Sequence, residues 1–363
     1  MNEMGILALE SADRMGSRVV QILEEWTGAD HLRIPVSCPR FSSGEAKGMI
    51  GESIRDRDLY ILVDVCNTSL TYRMGGEPNR MSPDDHYQDL KRIIAACNGQ
   101  AARITVIMPF LYESRQHRKT TRESLDCAVM LRELEQMGVH RIITFDAHDP
   151  RMQNVVPLLN LENISPALQF TQRLLTEYED LRLDGDHLMF IAPDEGATGR
   201  AVFLASLFGV NIGMFYKRRD YTRIVDGTNP IIAHDFCGGS VKGTDVVVVD
   251  DMIASGGSML DVARQLKDRG ARRVFLYATF GLFTSGMEKF DRAYAEGCFD
   301  RLFTTDLVYQ KPELREKEYY LSIGMARYIA ALIDRLHQGG SLMELVKPEE
   351  RIHQMVKLYR EKE

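Results

Sequence analysis

Four consecutive valines, residues 246–249, run straight into two acids, a small polar loop and a helical pattern. Four β-branched apolar residues in a row suit a strand buried on both faces, as inside a parallel sheet. Asp250 and Asp251 stand where that strand is expected to end. Ala254-Ser255-Gly256-Gly257-Ser258 supplies the loop, and Leu260, Ala263 and Leu266 recur at helical spacing up to a C-cap at Gly270. Such a loop presents backbone N–H groups at a helix N-terminus, where partial positive charge favours a phosphate. Glycines permit close approach and serine hydroxyls add donors. Two carboxylates beside a phosphate nest would repel it, so their expected task is to hold the vicinal hydroxyls of a sugar, directly or through Mg²⁺. An ordinary strand–turn–helix accounts for Asp-Asp alone, but poorly for Asp-Asp with Ser-Gly-Gly-Ser behind it.

This stretch resembles the 5-phosphoribosyl 1-diphosphate (PRPP) motif of the type I phosphoribosyltransferase fold. Around it, apolar runs alternate with helical patterns: 6–9, 59–63, 104–108, 142–145, 188–192, 212–216, 246–249 and 274–278. That alternation predicts an α/β chain with mainly parallel sheets. Arg132-Glu-Leu-Glu-Gln-Met-Gly138 before the run at Ile142 echoes Arg264-Gln-Leu-Lys-Asp-Arg-Gly270 before the run at Val274, which suggests a duplicated domain. The first domain is placed at 1–164, after a loop at 154–164, and the second at 165–315. A helix over 322–337, within a segment of about 322–340, is expected to rejoin the first domain, and 341–363 reads as a charged helical tail. Residues 67–85, with Gly75-Gly76 and two prolines, read as a long loop.

At 363 residues the chain has room for two domains, and 44% apolar with 27% charged content is ordinary for a globular protein. A net charge of −7 argues against general affinity for nucleic acid or an anionic membrane. Any polyanion site is therefore a local cluster of Arg and Lys. The N-terminus lacks the basic flank and apolar core of a signal peptide. No apolar run approaches transmembrane length. The six cysteines have no CxxC spacing, so neither zinc nor a disulfide framework is suggested and a cytoplasmic setting is expected.

In a parallel sheet, ligands bind beyond the carboxyl ends of the strands. Four further polar clusters stand there. Arg115-Gln116-His117-Arg118-Lys119 follows 104–108 and is the densest basic run; guanidinium groups suit bidentate phosphate binding, and Gln116 offers an amide to orient an oxygen. Asp146-Ala147-His148 follows 142–145 and offers oxygen and imidazole ligands to a metal. Pro193-Asp194-Glu195-Gly196 follows 188–192 as an acidic turn, then Ala197-Thr198-Gly199-Arg200. Lys217-Arg218-Arg219 follows 212–216, before a polar stretch through Pro230 that reads as a mobile flap. Two basic clusters, an Asp-x-His, a further Asp and a phosphate loop with paired acids equip a chain for Mg²⁺-assisted phosphoryl transfer, where catalysis is mostly positioning and charge stabilisation.

In that order and spacing these residues resemble the ribose-phosphate pyrophosphokinase (PRPP synthetase) family from about Ile34 to Asp306. Phe41-Ser-Ser-Gly-Glu45 is similar to its adenine-contacting segment, Arg115-Gln116 to its ATP-phosphate pair, and Asp146-Ala-His148 to its Asp-Leu-His, with Gln153 following. Pro193-Asp194 is similar to a metal- and ribose-serving acid, Lys217-x-Arg219 to the catalytic flexible loop, and Val249–Ile253 to the ribose-phosphate motif. The resemblance implies two phosphoribosyltransferase-like domains, each a mainly parallel sheet flanked by helices. It implies transfer of the diphosphate of Mg²⁺–ATP to ribose 5-phosphate, giving PRPP and AMP for nucleotide biosynthesis. Lys217 and Arg219 would be catalytic; Phe41, Glu45, Arg115, Gln116 and His148 would bind ATP; Asp194, Asp250, Asp251 and Ser255-Gly256-Gly257-Ser258 would bind the sugar phosphate; His148 and Asp194 would serve the metal. Self-association, as a dimer or a hexamer of dimers, is implied as well. Departures stand at Ser43, where the pattern has Asp or Asn, at Ala254 in place of Asp, after Arg118-Lys119, and in the longer 67–85 segment. Two alternatives remain open at this point: a phosphoribosyltransferase that consumes PRPP, and an inactive regulatory relative.

Overall fold

The computed structural model describes residues 2–219 and 231–362. The chain begins β1 (Met4–Ala8), α1 (Asp13–Thr27), β2 (Val36–Ser37), β3 (Met49–Ile50), β4 (Asp58–Leu62), β5 (Thr71–Met74), β6 (Glu77–Arg80), α2 (Pro83–Cys97), β7 (Arg103–Ile107), α3 (Asp126–Gln136), β8 (Arg141–Phe145) and β9 (Asn160–Ile164). It continues α4 (Ala167–Glu177), β10 (Leu188–Ala192), α5 (Thr198–Phe208), β11 (Asn211–Arg219), β12 (Ile231–Cys237), β13 (Asp245–Ile253), α6 (Gly257–Asp268), β14 (Val274–Gly281), α7 (Glu288–Ala295), β15 (Arg301–Thr305) and β16 (Tyr320–Ile323). Three helices close it: α8 (Ala326–His337), α9 (Met343–Val346) and α10 (Glu349–Arg360).

Two compact units result. One gathers residues 1–166, 306–309 and 324–346; the other gathers 167–305, 310–323 and 347–363. The first holds a parallel sheet in the order β1-β4-β7-β8-β9 over a core that includes Leu7, Ile61, Leu90, Val106 and Leu131, all fully buried. The second holds the order β12-β11-β10-β13-β14-β15-β16, parallel except for the antiparallel β11–β12 pair, over Ile191, Val246, Val248, Leu266 and Leu276. Continuous apolar strands such as Leu188–Ala192 are buried along their whole length because helices cover both faces.

The helices that follow the last strands are exchanged. Helix α4 follows β9 of the first sheet yet groups with the second unit, and α8 follows β16 of the second sheet yet groups with the first. Helix α8 buries Ile329, Ala330, Leu332 and Ile333 and lies against α1. The tail is more than a charged appendage: α10 buries Ile352 and Val356 in the second unit. Tyr359 donates to the Tyr178 carbonyl at 2.6 Å, and the Arg360 guanidinium donates to the carbonyls of Leu183 and Phe208.

Several expectations are revised. Residues 67–85 are no open loop: β5 and β6 form a hairpin around Gly75-Gly76, whose φ values of 60° and 90° suit a tight left-handed turn. Ser82 then caps α2, its hydroxyl accepting from the Asp85 N–H at 3.2 Å while Asp85 accepts from the Ser82 N–H at 2.8 Å. Residues 160–164 are an edge strand and 320–323 a strand, so the helix placed at 322 begins at Ala326. The internal echo is out of register. Sheet order makes β13–α6–β14 the counterpart of β4–α2–β7, whereas the echo pairs α6–β14 with α3–β8. What those two stretches share is a local device, a glycine near φ +87° or +86° ending a helix ahead of a strand.

Candidate active site

The second unit carries a point where strand order reverses: from β10 the chain goes to β11 on one side, then returns to β13 on the other. Ligands bind at such a crevice, beyond the carboxyl ends of the strands. Asp194 stands just past β10, its carboxylate accepting from the N–H groups of Gly196 (3.1 Å) and Ala197 (3.3 Å). Asp250 and Asp251 lie inside β13 rather than after it. Pairing with β14 continues through Asp250–Ala278, Met252–Phe280 and Ile253–Gly281, so the strand outlasts its valines.

The two acids are neighbours in the strand and differ in burial. Asp251 is 4% exposed, with the Arg200 guanidinium 3.8 Å from its carboxylate. Asp250 is half-buried and accepts from the Asp251 N–H at 2.9 Å. Burial first, then the charges of Asp251 and Asp194, push the Asp250 carboxyl well above the usual carboxylate range. Negative charge crowded this way is relieved by a proton or by a cation.

The loop behind them is built around Gly256, the N-cap of α6, at φ +78°. A Cβ there would stand 2.3 Å from the ring of Phe290, which is fully buried, so conformation and space both demand glycine. Gly257 meets nothing closer than the Ser255 hydroxyl at 4.0 Å; its side-chain space is open. Gly257 and Ser258 begin the helix itself, one turn earlier than Leu260 suggests, so their N–H groups belong to the end of α6 that has no intrahelical acceptor.

In the first unit the loops after adjacent strands β7 and β8 meet. Arg115 is exposed. The Gln116 amide N–H₂ donates to the carbonyls of Ser124 (2.8 Å) and Arg118 (3.3 Å), so it closes the basic loop instead of projecting its donors from it. His117 lies 3.5 Å from the Asp149 carboxylate, and its ring centroid is 5.4 Å from that of His148, itself exposed. Hydrogen bonds from Arg151 hold the Asp149 carboxyl down at about 2. Asp146 is half-buried at φ +40°. Among the described residues, no three His, Cys, Asp or Glu side chains are arranged to hold a metal by themselves.

Phe41–Glu45 forms a tight turn closed by Phe41 N–H to Glu45 carbonyl at 2.7 Å. Phe41 is 53% exposed, and the Ser43 hydroxyl donates to the Glu45 carboxylate at 2.9 Å. Lys217 and Arg219 fall on β11, opposite His234 and Ile231, so the strand read as ending at Tyr216 runs three residues further. The flap expected over 220–230 lies outside the described residues. His117 and Arg200 read from sequence only as members of polar runs, without a role, and Phe290 not at all; each matters through a partner distant in sequence or across a loop, and no local spacing signals that.

Two family models match: the N-terminal domain of ribose phosphate pyrophosphokinase over residues 4–138, and the phosphoribosyl transferase domain over 158–316. The ribose-phosphate pyrophosphokinase of Ralstonia nicotianae is 29% identical over 324 residues, 87% of this chain and 92% of that one. That of Vibrio parahaemolyticus is 29% identical over 86% and 92% of the two chains. The crystal structure of phosphoribosylpyrophosphate synthetase from Mycobacterium smegmatis superposes with a TM-score of 0.75 at 20% identity, covering 93% of this chain and 100% of the other.

Proposed function

The chain belongs to the ribose-phosphate pyrophosphokinase family, and we propose that it transfers the β,γ-diphosphate of ATP to the C1 hydroxyl of ribose 5-phosphate. The single observation that carries this reading is the set at the second unit's switch point: Asp194, Asp250 and Asp251 beside a Gly256-capped loop. A phosphoribosyltransferase that consumes PRPP would leave the match over residues 4–138 without a purpose.

In this proposal the N–H groups and hydroxyls of Ser255–Ser258 hold the 5-phosphate. Asp250 and Asp251 accept from the 2- and 3-hydroxyls, with Arg200 offsetting the charge on Asp251. The oxygen on C1 forms a bond to the β-phosphorus and gives up its proton to solvent, the bond from that phosphorus to the α–β bridging oxygen breaks, and AMP leaves with that oxygen. Arg115 and His148 orient the triphosphate, and Phe41 with Glu45 meets the adenine. Lys217 and Arg219 stabilise charge that develops on the transferred diphosphate. Because no side chain serves as nucleophile, positioning and charge do the catalysis.

Mg²⁺ suits these residues. It is ordinarily held by one or two carboxylates with substrate phosphates completing its shell; Asp194 and Asp250 in the second unit offer that kind of partial set, and in the first unit exposed His148 offers a separate imidazole. When bound, it would neutralise the polyphosphate and polarise the phosphorus under attack. Self-association is part of the proposal, as a dimer or larger homo-oligomer. Among the described residues, no helix is long and apolar enough to cross a membrane.

The test is mass balance. Incubation with ATP and ribose 5-phosphate should give AMP and PRPP in equal amounts, and excess chelator should stop it. AMP without PRPP, or binding without turnover, overturns the reading. Since Ser43 anchors Glu45 rather than carrying a charge of its own, kcat/KM for ATP should exceed that for GTP by less than about a thousandfold.

A further inference from the structure

We infer that the β5–β6 hairpin is a positioning device for the nucleotide turn, setting how tightly the enzyme takes its purine nucleotide. This rests on the nucleotide reading of Phe41–Glu45 given above. Hairpin and turn are in direct contact at three places. The Gly75 N–H at the hairpin tip donates to the Ser42 carbonyl at 2.9 Å. Met74 lies against Gly44 so closely that a Cβ on that glycine would stand 2.9 Å from its sulfur. The guanidinium of Arg40, the residue just before the turn, lies 4.8 Å from the centre of the Tyr72 ring.

The far end of each contact is anchored. Arg40 is also paired to buried Asp89 at 2.8 Å, and the Tyr72 hydroxyl accepts from the Asn79 amide across the hairpin at 2.8 Å. The hairpin's return is fixed by the Ser82 cap on α2. The turn's own bonds close it only on itself, while Phe41 is 53% exposed and Gly44 sits at φ +92°. A short exposed turn bonded at its tip to a hairpin, and tied at its base through Arg40 to a capped helix, loses fewer conformations when a ligand arrives, and pre-organisation of that kind improves affinity. The hairpin belongs to the first unit with the nucleotide turn, and the residues assigned to the sugar phosphate belong to the second, so its influence should fall on the nucleotide.

The experiment uses the full chain with steady-state kinetics in both substrates. Tyr72→Ala and Met74→Ala should each raise KM for ATP by roughly fivefold to tenfold, while kcat and KM for ribose 5-phosphate stay within about twofold. Tyr72→Phe keeps the ring over Arg40 and should restore most of the ATP affinity. Hydrogen exchange gives a readout independent of turnover: amides of residues 41–46 should exchange faster in Tyr72→Ala, with the rest of the first unit unchanged. A KM for ATP that stays at the wild-type value in both alanine variants overturns the inference, as does a uniform fall in kcat with loss of both affinities. If Tyr72→Ala fails to fold, Met74→Ala alone decides. Failure of the wild type to make PRPP sinks the functional reading instead, and the exchange experiment still judges the hairpin.

Discussion

Asp58 opens β4 in one unit and Asp245 opens β13 in the other, at the same point of two sheets. Each amide bonds the residue ahead of the first parallel strand, Asp58 to Glu3 and Asp245 to His187, both at 2.9 Å. Each carboxylate is buried and bonded by an arginine that opens the next strand, Arg103 on Asp58 and Arg273, just before β14, on Asp245. The partners then diverge. Asp58 is completed by the Tyr60 hydroxyl at 2.9 Å and by His337 of α8 at 3.0 Å; Asp245 is completed by a second arginine, Arg272. Burial opposes charge in both, yet these bonds hold both carboxyls below the usual range. One architecture, used twice, can thus keep a buried acid and vary how it is satisfied.

The same alignment explains the division of labour. Asp64 falls in register with Asp251, and Glu10 with Asp194. Asp251 has Arg200 beside it, whereas Asp64 accepts from backbone N–H groups of Cys66 (2.8 Å) and Tyr309 (2.6 Å) and lies sealed in the core. The segment after Asp64 runs into a hairpin, while that after Asp251 becomes a glycine-capped helix start. The first unit therefore keeps acids at the matching strand ends without the glycine-capped loop. The Phe41–Glu45 turn lies between β2 and β3, as residues 220–230 lie in sequence between β11 and β12.

The comparison can be broken at several points. The largest effect is expected at the buried acids: Arg272→Ala with Arg273→Ala leaves Asp245 without its cations, at about 3–5 kcal/mol. Arg103→Ala leaves Asp58 with Tyr60 and His337, a loss of about 1–3 kcal/mol. Denaturant melts read both, and equal losses would mean the extra partners of Asp58 contribute nothing. Next, Lys217→Ala and Arg219→Ala should lower kcat by a factor on the order of 10²–10³ with little change in ribose 5-phosphate affinity. Phe41→Ala in the corresponding turn should act on KM for ATP instead. Retention of wild-type kcat in either β11 variant would remove its proposed role.

A smaller effect should appear at Asp64, whose carboxyl is pushed to about 7 by burial, with the two backbone N–H bonds opposing. Its folded pKa lies above the unfolded one near about 3.9. Its favourable contribution is therefore full below that lower value and lost as pH rises through 7. Wild-type stability should fall by roughly 2–3 kcal/mol between pH 5 and 8 from this group, and Asp64→Asn should flatten that slope. An unchanged slope would show that Asp64 is not the titrating group. Smallest, Ser43→Ala frees Glu45 and should raise KM for ATP about fivefold or less.

Legibility from sequence followed how local the cause was. Leu188–Ala192 and the Val246 run were readable because a strand buried on both faces leaves an apolar signature. Asn160–Ile164 was not, since an edge strand with polar alternation looks like loop. Gly75-Gly76 carried a hairpin signal that charged and polar neighbours obscured. The glycine-capped turn and the paired acids before it were legible because their spacing is local. His117 beside Asp149, Arg200 beside Asp251 and Phe290 beneath Gly256 depend on tertiary approach.

The exchanged helices bear on how the protein is made. Synthesis runs from the N-terminus, and domains usually fold as their residues emerge. The first unit cannot close that way, because α8, which covers α1 with four fully buried side chains, leaves the ribosome only after the whole second sheet. Until then the first 166 residues carry an uncovered apolar face through nearly half of translation. Transient exposure of that length invites chaperone capture, and slowing synthesis across the second sheet would lengthen it.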